Sequence, residues 1–398
     1  MDVVTLVIIY VTLFACLVFI LLFGEASFFR DGFIGRMHRG LTDSFPHYLH
    51  KTLLMICGQR VVRKLDSGSK YLLESRHPLL QIFYLSLITG CIFIFWQNAW
   101  PAIPNSHVGK IHVYTVPLMI ASVYGSFILA SWSNPGVLTR ENNDRALSIW
   151  EYDHIIFTPK MCRTCQFQKP ARSKHCSICK ACIAKSDHHC AWINNCVGHL
   201  NYRWFLLFLF TTCGIAFYGS YLVLQIFRAE MDKRQIHDLW VMDRITQERS
   251  RISFKQKWLY MIHHEMMLAA LGIFAALGGI VVLAFICYQL SLVFRGVTTN
   301  ESFKWDDIDY DIRKGQLRMP RELYDFNHGR HEEDQSTTRA KGNTTATRRK
   351  GRKGNEKSHD QERDDYVSIK SIAQIKNIYH GGPWANLMDI LFPSPLNV

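Results

Sequence analysis

The chain has 398 residues, of which 48% are hydrophobic, and a formal net charge of +13. A soluble protein could show these averages, but here the apolar residues cluster into five segments long enough to cross a bilayer, which takes about 20 residues in a helix. The clustering argues against a soluble protein. It predicts an all-α integral membrane protein built on a bundle of about five transmembrane helices.

The five predicted transmembrane helices are at residues 3–23, 79–96, 113–132, 204–227 and 266–294. The first lacks the basic start and the small-residue cleavage site of a signal peptide, so we interpret it as an uncleaved helix. Residues 24–78, between the first two helices, have an excess of basic side chains, which favours the cytosol. Residues 48–62 are amphipathic and form either a membrane-surface helix or an ordinary solvated helix.

Residues 162–196, between the third and fourth helices, hold seven of the twelve cysteines of the chain. A C-x-x-C pair, Cys162 and Cys165, precedes a C-x-x-C-x-x-C run from Cys176 to Cys182. The interleaved histidines are His175, His188 and His189. This spacing is typical of zinc sites rather than of disulfides. Because zinc binding needs reduced thiolates, we expect short metal-binding hairpins on the cytosolic side of the membrane.

The candidate ligands outnumber what two zinc ions need. Two closed tetrahedral sites take eight ligands, whereas this stretch offers seven cysteines and three histidines. In Asp187-His188-His189-Cys190, a carboxylate, an imidazole and a thiol could form an orienting group, a base and a nucleophile. If Cys190 is the free thiol and His188 its base, the others complete two sites of three cysteines and one histidine each: Cys162, Cys165, Cys176, Cys179, Cys182, Cys196, His175 and His189.

These residues resemble the cysteine-rich domain of the DHHC protein S-acyltransferases, or palmitoyltransferases. The resemblance is carried by KPARSKHC, by the DHHC tetrad itself, by W-x-N-N-C-V-G from Trp192 to Gly198, and by residues 201–205. Many fixed spacings agree at once, so the match is specific. Ala191 departs from the pattern, since proline is usual at this position.

Three motifs outside the cysteine-rich stretch extend the resemblance. Thr298-Thr299-Asn300-Glu301 matches the TTxE motif of the family, which would brace the zinc domain against the helices. Residues 375–391 resemble its aromatic C-terminal motif, with Asn377 and Tyr379 as carriers. Ser133-Asn134-Pro135-Gly136 is similar to an Asp-Pro-Gly motif with Asn134 in place of aspartate, although proline and glycine alone would explain a helix stop. The whole pattern most resembles the fungal endoplasmic-reticulum branch, which acylates SNAREs.

The resemblance implies a two-step acyl transfer and a set of residue roles. Cys190 would take a palmitoyl group from palmitoyl-CoA as a thioester and pass it to a protein cysteine, with His188 as base and Asp187 orienting the imidazole. Two structural Zn²⁺ ions are implied, one held by Cys162, Cys165, His175 and Cys182, the other by Cys176, Cys179, His189 and Cys196. Nearby basic residues are candidates for the CoA phosphates, although surface solvation explains each one better: Lys169, Arg172, Lys174, Lys180 and Lys185.

The predicted domains are residues 1–136 with three helices, 145–203 with the zinc domain, 204–294 with two helices and a luminal loop, and 295–398 as a cytosolic tail. In the tail, residues 328–365 are expected to be disordered and residues 366–391 to carry the C-terminal motif. We expect a multi-pass protein of the endoplasmic reticulum membrane with a cytosolic catalytic domain. The luminal loop disagrees with the positive-inside trend, since it contains Arg249, Arg251, Lys255 and Lys257.

The expected partners are palmitoyl-CoA, the lipid bilayer and SNARE-like membrane proteins with cysteines beside their spans, and we expect no nucleic acid. Two other classes of function remain. A membrane-anchored zinc module that only binds other molecules would have no use for the surplus Asp187, His188 and Cys190. A channel or transporter is disfavoured because the spans carry almost no charged residues, which transport paths usually need.

Overall fold

The structure is a computed structural model that describes residues 13, 16, 17, 19–21, 24, 25, 28–242, 248–327 and 366–396. The first predicted span, residues 3–23, therefore lies mostly outside the described residues. The stretch expected to be disordered, residues 328–365, lies entirely outside them.

The described part of the chain is mainly helical. Its α-helices are α1 (Phe33–Arg39), α2 (Phe45–Glu74), α3 (Leu79–Asn98), α4 (His112–Trp132), α5 (Arg140–Ile149), α6 (Tyr202–Lys233), α7 (Phe254–His264), α8 (Met266–Phe294), α9 (Thr299–Arg313), α10 (Arg321–Asn327) and α11 (Pro383–Leu391).

Among the described residues, four helices are long and apolar enough to cross a membrane: α3, α4, α6 and α8. They correspond to the second to fifth predicted spans, and the predicted fold class is confirmed. Helix α6 ends at Lys233 rather than at residue 227. Its 32 residues give a length of about 48 Å, which exceeds the hydrocarbon core of about 30 Å.

The strands are short and lie outside the spans. They are β1 (Val137–Leu138), β2 (Lys160–Met161), β3 (Gln168–Lys169), β4 (Lys174–Cys176), β5 (Ala181–Ile183), β6 (His188–Cys190), β7 (Asn195–Val197), β8 (Trp240–Met242), β9 (Arg249–Arg251), β10 (Arg318–Pro320) and β11 (Tyr366–Ser368). Antiparallel pairing gives a three-stranded sheet in the order β1-β5-β4 and separate β6–β7, β8–β9 and β10–β11 pairs. The described residues between the fourth and fifth predicted spans include regular elements, since β8, β9 and α7 lie there.

The described chain divides into two compact units. One comprises residues 1–75, 151–160 and 300–380, and the other residues 76–150, 161–299 and 381–398. In the second unit, α6 packs against both α4 and α8. Tyr84 of α3 stacks on Phe127 of α4, with ring centroids 5.2 Å apart, and meets Phe208 of α6 edge to face. Aromatic packing thus joins α3, α4 and α6 at the end that carries the cysteine-rich hairpins.

The first unit has its own small core around the β10–β11 pair. This core consists of Ile312, Met319, Ile369 and Ile375, all of them buried. The hydroxyl of Tyr379 donates a hydrogen bond to the carbonyl oxygen of Glu151 at 2.8 Å. The described C-terminal part of the chain begins with β11 at Tyr366.

The turn after α4 explains how asparagine can occupy the Asp-Pro-Gly position. Asn134 Oδ1 accepts hydrogen bonds from the backbone N–H groups of Gly136 and Val137, at 2.9 and 3.0 Å. Gly136 has a φ of +97°, which glycine adopts without strain. The position needs a side chain that accepts hydrogen bonds. The amide oxygen of asparagine accepts them here, as a carboxylate oxygen of aspartate would.

Replacing Asn134 tests this role of the turn. The Asn134→Ala variant leaves both N–H groups without their acceptor, and we expect a loss of about 1 kcal/mol in the free energy of unfolding. The Asn134→Asp variant keeps the acceptor and serves as the control, with stability close to the wild type. Thermal unfolding of the purified protein in detergent measures both. Equal destabilisation by the two variants would contradict the account.

Candidate active site and metal centres

The first cysteine–histidine cluster combines a C-x-x-C turn with one β-hairpin. The backbone N–H of Cys165 lies 3.4 Å from Cys162 Sγ, which closes the turn. His175 on β4 stands directly opposite Cys182 on β5. The Nδ1 atom of His175 lies 3.5, 3.4 and 3.7 Å from the sulfurs of Cys162, Cys165 and Cys182.

The second cluster repeats this arrangement with the next turn and the next hairpin. Cys176 and Cys179 form the turn, which joins β4 to β5. His189 on β6 stands opposite Cys196 on β7. The Nδ1 atom of His189 lies 3.8, 3.3 and 3.6 Å from the sulfurs of Cys176, Cys179 and Cys196. Because the loop of one hairpin is the C-x-x-C turn of the next cluster, the two clusters are interleaved along the sequence.

Both clusters fit a tetrahedral zinc ion. Within each, all four ligand atoms lie within 4.8 Å of one another. Bond lengths of about 2.3 Å to sulfur and 2.0–2.1 Å to nitrogen place tetrahedral ligand atoms about 3.6–3.8 Å apart, close to the observed distances. The structure thus gathers the eight candidate ligands into two groups that could each hold a metal ion, and their individual roles stay predictions.

Strand β6 separates neighbouring side chains of the DHHC tetrad. Successive side chains of a strand point to opposite faces, so His188 and Cys190 lie on the face away from His189 and its cluster. His188 Nδ1 lies 2.7 Å from Oδ2 of the buried Asp187, and His188 and Cys190, two residues apart on β6, interact closely enough for each to shift the pKa of the other. The carboxylate, the imidazole and the thiol therefore form one connected group.

The electrostatics of this group favour transfer of the Cys190 proton to the His188 imidazole. Burial lowers the pKa of His188, but its hydrogen bonds with Asp187 and Cys190 outweigh burial and raise the pKa to about 10. Burial raises the pKa of the Cys190 thiol, and the hydrogen bond and charge of His188 outweigh it, so this pKa is lowered overall. Thiolate, rather than thiol, is the nucleophilic form of cysteine.

Asp187 is held by a residue that the sequence assigned only to a bracing motif. Its Oδ1 accepts a hydrogen bond from the backbone N–H of Thr299 at 2.6 Å, and its Oδ2 accepts one from the Thr299 hydroxyl at 2.7 Å. A buried carboxylate needs such donors to offset its lost hydration. The TTxE motif marked Thr299, but no pattern in the sequence shows that its partner is Asp187.

The apolar surroundings of Cys190 come from the transmembrane helices. The thiol residue is buried in a cluster with Phe127 of α4, Phe205 of α6 and Ile286 of α8. The ring of His188 meets Phe205 edge to face, with centroids 5.3 Å apart. The group of Asp187, His188 and Cys190 therefore lies where polar hairpins meet apolar spans, a position suited to a substrate with an apolar tail.

The C-terminal helix α11 contacts the cysteine-rich hairpins as well as the spans. Asp389 pairs with Lys185 at 2.5 Å, two residues before Asp187. Asn386 Nδ2 donates a hydrogen bond to the carbonyl oxygen of Phe294 at the end of α8. The sequence analysis selected Asn377 and Tyr379 as carriers of the C-terminal motif and missed both Asn386 and Asp389, whose importance depends on long-range contacts.

Two of the candidate CoA-binding residues are used within the protein instead. Arg172 is buried, and its guanidinium donates a hydrogen bond to the carbonyl oxygen of Gly296 at 2.9 Å. Lys185 is also largely buried, in its pair with Asp389. Lys174 and Lys180 are exposed. The structure thus assigns Arg172 and Lys185 to internal contacts rather than to solvent.

Residues 155–306 match the profile of the family described as DHHC palmitoyltransferase. The chain is 32% identical to palmitoyltransferase swf1 of Schizosaccharomyces pombe, over 96% of this chain and 95% of that relative. It is 28% identical to palmitoyltransferase SWF1 of Saccharomyces cerevisiae (79% and 84% covered) and 29% identical to palmitoyltransferase ZDHHC4 of Mus musculus (63% and 72% covered). The chain therefore belongs to the DHHC palmitoyltransferase family, and it is a membrane protein with protein S-palmitoyltransferase activity.

Proposed function

We propose that the protein carries a palmitoyl group from palmitoyl-CoA to a cysteine of a membrane protein through a thioester on Cys190. One observation carries this proposal. His188 and Cys190 lie on the face of β6 away from His189, and Asp187 lies 2.7 Å from the His188 imidazole. The thiol thus has a base, and the base has an orienting carboxylate, while the metal-type cluster uses other side chains.

In the first proposed step, the Cys190 proton moves to His188 and the thiolate attacks the carbonyl carbon of the acyl-CoA thioester. The bond between that carbon and the CoA sulfur breaks, and the CoA thiolate takes the proton from the imidazolium. The hydrogen bond from Nδ1 to Asp187 holds the ring, which leaves Nε2 for this proton transfer. Thr299 keeps the carboxylate in place through two hydrogen bonds.

In the second proposed step, the thiol of the protein substrate gives its proton to His188 and attacks the Cys190 thioester. The new thioester forms as Cys190 leaves as a thiolate, which regains the proton from the imidazolium. One thioester replaces another, so little net free energy is required. The same residues therefore serve both halves of the reaction.

We also propose that both clusters hold Zn²⁺ in closed four-ligand sites. Such ions crosslink the turns and hairpins and contribute folding free energy, since the short strands bury little apolar surface by themselves. The first would be bound by Cys162, Cys165, His175 and Cys182, and the second by Cys176, Cys179, His189 and Cys196. Metal binding at His189 would fix the position of β6. It would therefore also fix His188 and Cys190, which lie on the other face of the strand.

The proposed protein substrates have cysteines beside a membrane span, as SNARE-like proteins do, and the proposed location is the endoplasmic reticulum membrane with the catalytic domain in the cytosol. The support is the resemblance to the fungal branch together with the apolar side chains around Cys190. Burying an acyl chain yields about 0.8 kcal/mol per methylene, so an acyl donor is favoured at such a site.

We also propose that the chain is divided into domains at residues 1–136, 145–203, 204–294 and 295–398. The support for this division is the resemblance to the family.

Two cysteine variants separate the nucleophile from the metal ligands. We expect Cys190→Ser to lose hydroxylamine-sensitive self-acylation by more than about a hundredfold, since a serine hydroxyl is a much weaker nucleophile at neutral pH. It should retain two zinc equivalents per chain. The matched variant Cys196→Ser should lose about one equivalent and much of its folded yield. Elemental analysis beside acyl labelling measures both, and a zinc loss in Cys190→Ser would contradict the proposed roles.

A second pair of variants tests the support of Asp187. The Thr299→Val variant removes the hydroxyl and keeps the shape and the backbone N–H. A hydrogen bond to a charged group contributes about 1.5–3 kcal/mol, so we expect self-acylation to slow by about tenfold or more. The Thr299→Ser variant retains the hydroxyl and should remain within about threefold of wild type. Unchanged rates in Thr299→Val, at normal zinc content, would show that the hydroxyl does not position Asp187.

A further inference from the structure

Helix α2 exposes a large apolar surface that the proposed function does not use. Val62 is buried, whereas ten large apolar side chains of this helix are exposed: Phe45, Tyr48, Leu49, Leu54, Met55, Ile56, Val61, Leu65, Tyr71 and Leu72. Exposed apolar patches of this extent mark protein or membrane interaction sites.

Helix α2 is bent into two arms at Gly58. This residue has a φ of +75° and a ψ of 164°, so the helix is interrupted there. His50 Nδ1 lies 3.5 Å from Asp66 Oδ1, although a straight helix would place these residues about 24 Å apart. The arms, residues 45–57 and 59–74, therefore fold back towards each other and form a short helical hairpin.

Each arm of the hairpin is amphipathic. Residues of a helix advance by about 100° each, which places one apolar arc on the first arm. His47, His50 and Lys51 lie on the opposite side, together with Leu54. The first apolar arc contains Phe45, Tyr48, Leu49, Leu53, Met55 and Ile56. On the second arm, the apolar arc contains Val61, Leu65 and Leu72. The polar side contains Arg60, Arg63, Lys64 and Lys70, with Tyr71 among them.

The charge and the position of α2 identify what would cover its apolar arcs. The helix carries five basic side chains, Lys51, Arg60, Arg63, Lys64 and Lys70, against the two acidic ones of Asp66 and Glu74. Helix α3, a candidate membrane span, begins at Leu79. Even a fully extended chain reaches only about 17 Å from Glu74 to Leu79, so the covalent chain keeps the end of α2 near the bilayer boundary.

We propose that α2 is a membrane-surface hairpin that binds anionic phospholipid. Its apolar arcs enter the boundary between headgroups and acyl chains, and its basic side chains contact headgroup phosphates, as in other interfacial helices rich in lysine and arginine. Of the two interpretations that the sequence left open for residues 48–62, this proposal takes the membrane-surface helix. Its role is to hold the segment between the first two spans flat against the lipid.

The test uses the full-length protein, one copy per lipid nanodisc, with a fluorescent amino acid introduced by stop-codon suppression in place of Leu65 or Ser67. Both positions are exposed, and they lie about 160° apart around the second arm. A phospholipid carrying a nitroxide near its headgroup should quench the probe at 65 about threefold more strongly than the probe at 67, and aqueous iodide should do the reverse. Palmitoyltransferase activity confirms that each labelled protein is folded.

Varying the lipid composition tests whether the basic side chains of α2 contact anionic headgroups. Raising phosphatidylserine from none to about 30% should increase lipid quenching at position 65, and the triple variant Arg60→Gln, Arg63→Gln, Lys64→Gln should lose that increase. Equal iodide quenching at both positions would overturn the proposal in favour of a solvated helix. A probe at 65 shielded from both quenchers would overturn it in favour of a protein-covered face. A phosphatidylserine response retained in the triple variant would overturn the role of the basic residues.

Discussion

Side chains alternate between the two faces of a β-strand. Because of this constraint, neighbouring residues of the DHHC tetrad have different surroundings. His189 faces the second cysteine cluster, with its Nδ1 3.3–3.8 Å from three sulfurs. His188 and Cys190, one residue away on either side, face the other way. A strand of three residues thus supplies a candidate metal ligand on one face and a candidate base and nucleophile on the other. A helix would not divide three consecutive residues in this manner.

The face of β6 that carries His188 and Cys190 depends on support from distant parts of the chain. Asp187 holds His188, and Thr299 at the start of α9 holds Asp187. Close by, Lys185 pairs with Asp389 of α11. The short hairpins have little apolar core of their own, so their position relies on the clusters, on these contacts and on the ends of the spans. Orientation of the imidazole is therefore a property of the second compact unit as a whole.

Features set by local sequence were readable without the structure. Four spans follow from apolar length alone, and the cysteine and histidine spacings point to tetrahedral clusters because a turn brings C-x-x-C sulfurs together. Contacts between residues far apart in sequence carry no such signature, which is why the partners of Thr299, Asn386 and Asp389 were missed. For the same reason, the sequence analysis described Lys185 only as a solvated lysine or a candidate ligand of the CoA phosphates. The bend of α2 depends on one positive φ at Gly58, which an amphipathic pattern does not reveal.

The central claim is that the thiol of Cys190, and no metal-type cysteine, carries the acyl group between the two substrates. The most direct measurement is mass-spectrometric peptide mapping of the wild-type protein, quenched in acid after brief mixing with isotopically labelled palmitoyl-CoA and without a protein substrate. We expect the label on the peptide that contains Cys190, present as a hydroxylamine-labile thioester that disappears when a substrate thiol is added. A label on another cysteine, or transfer to a substrate with no labelled enzyme at any time, would contradict the account.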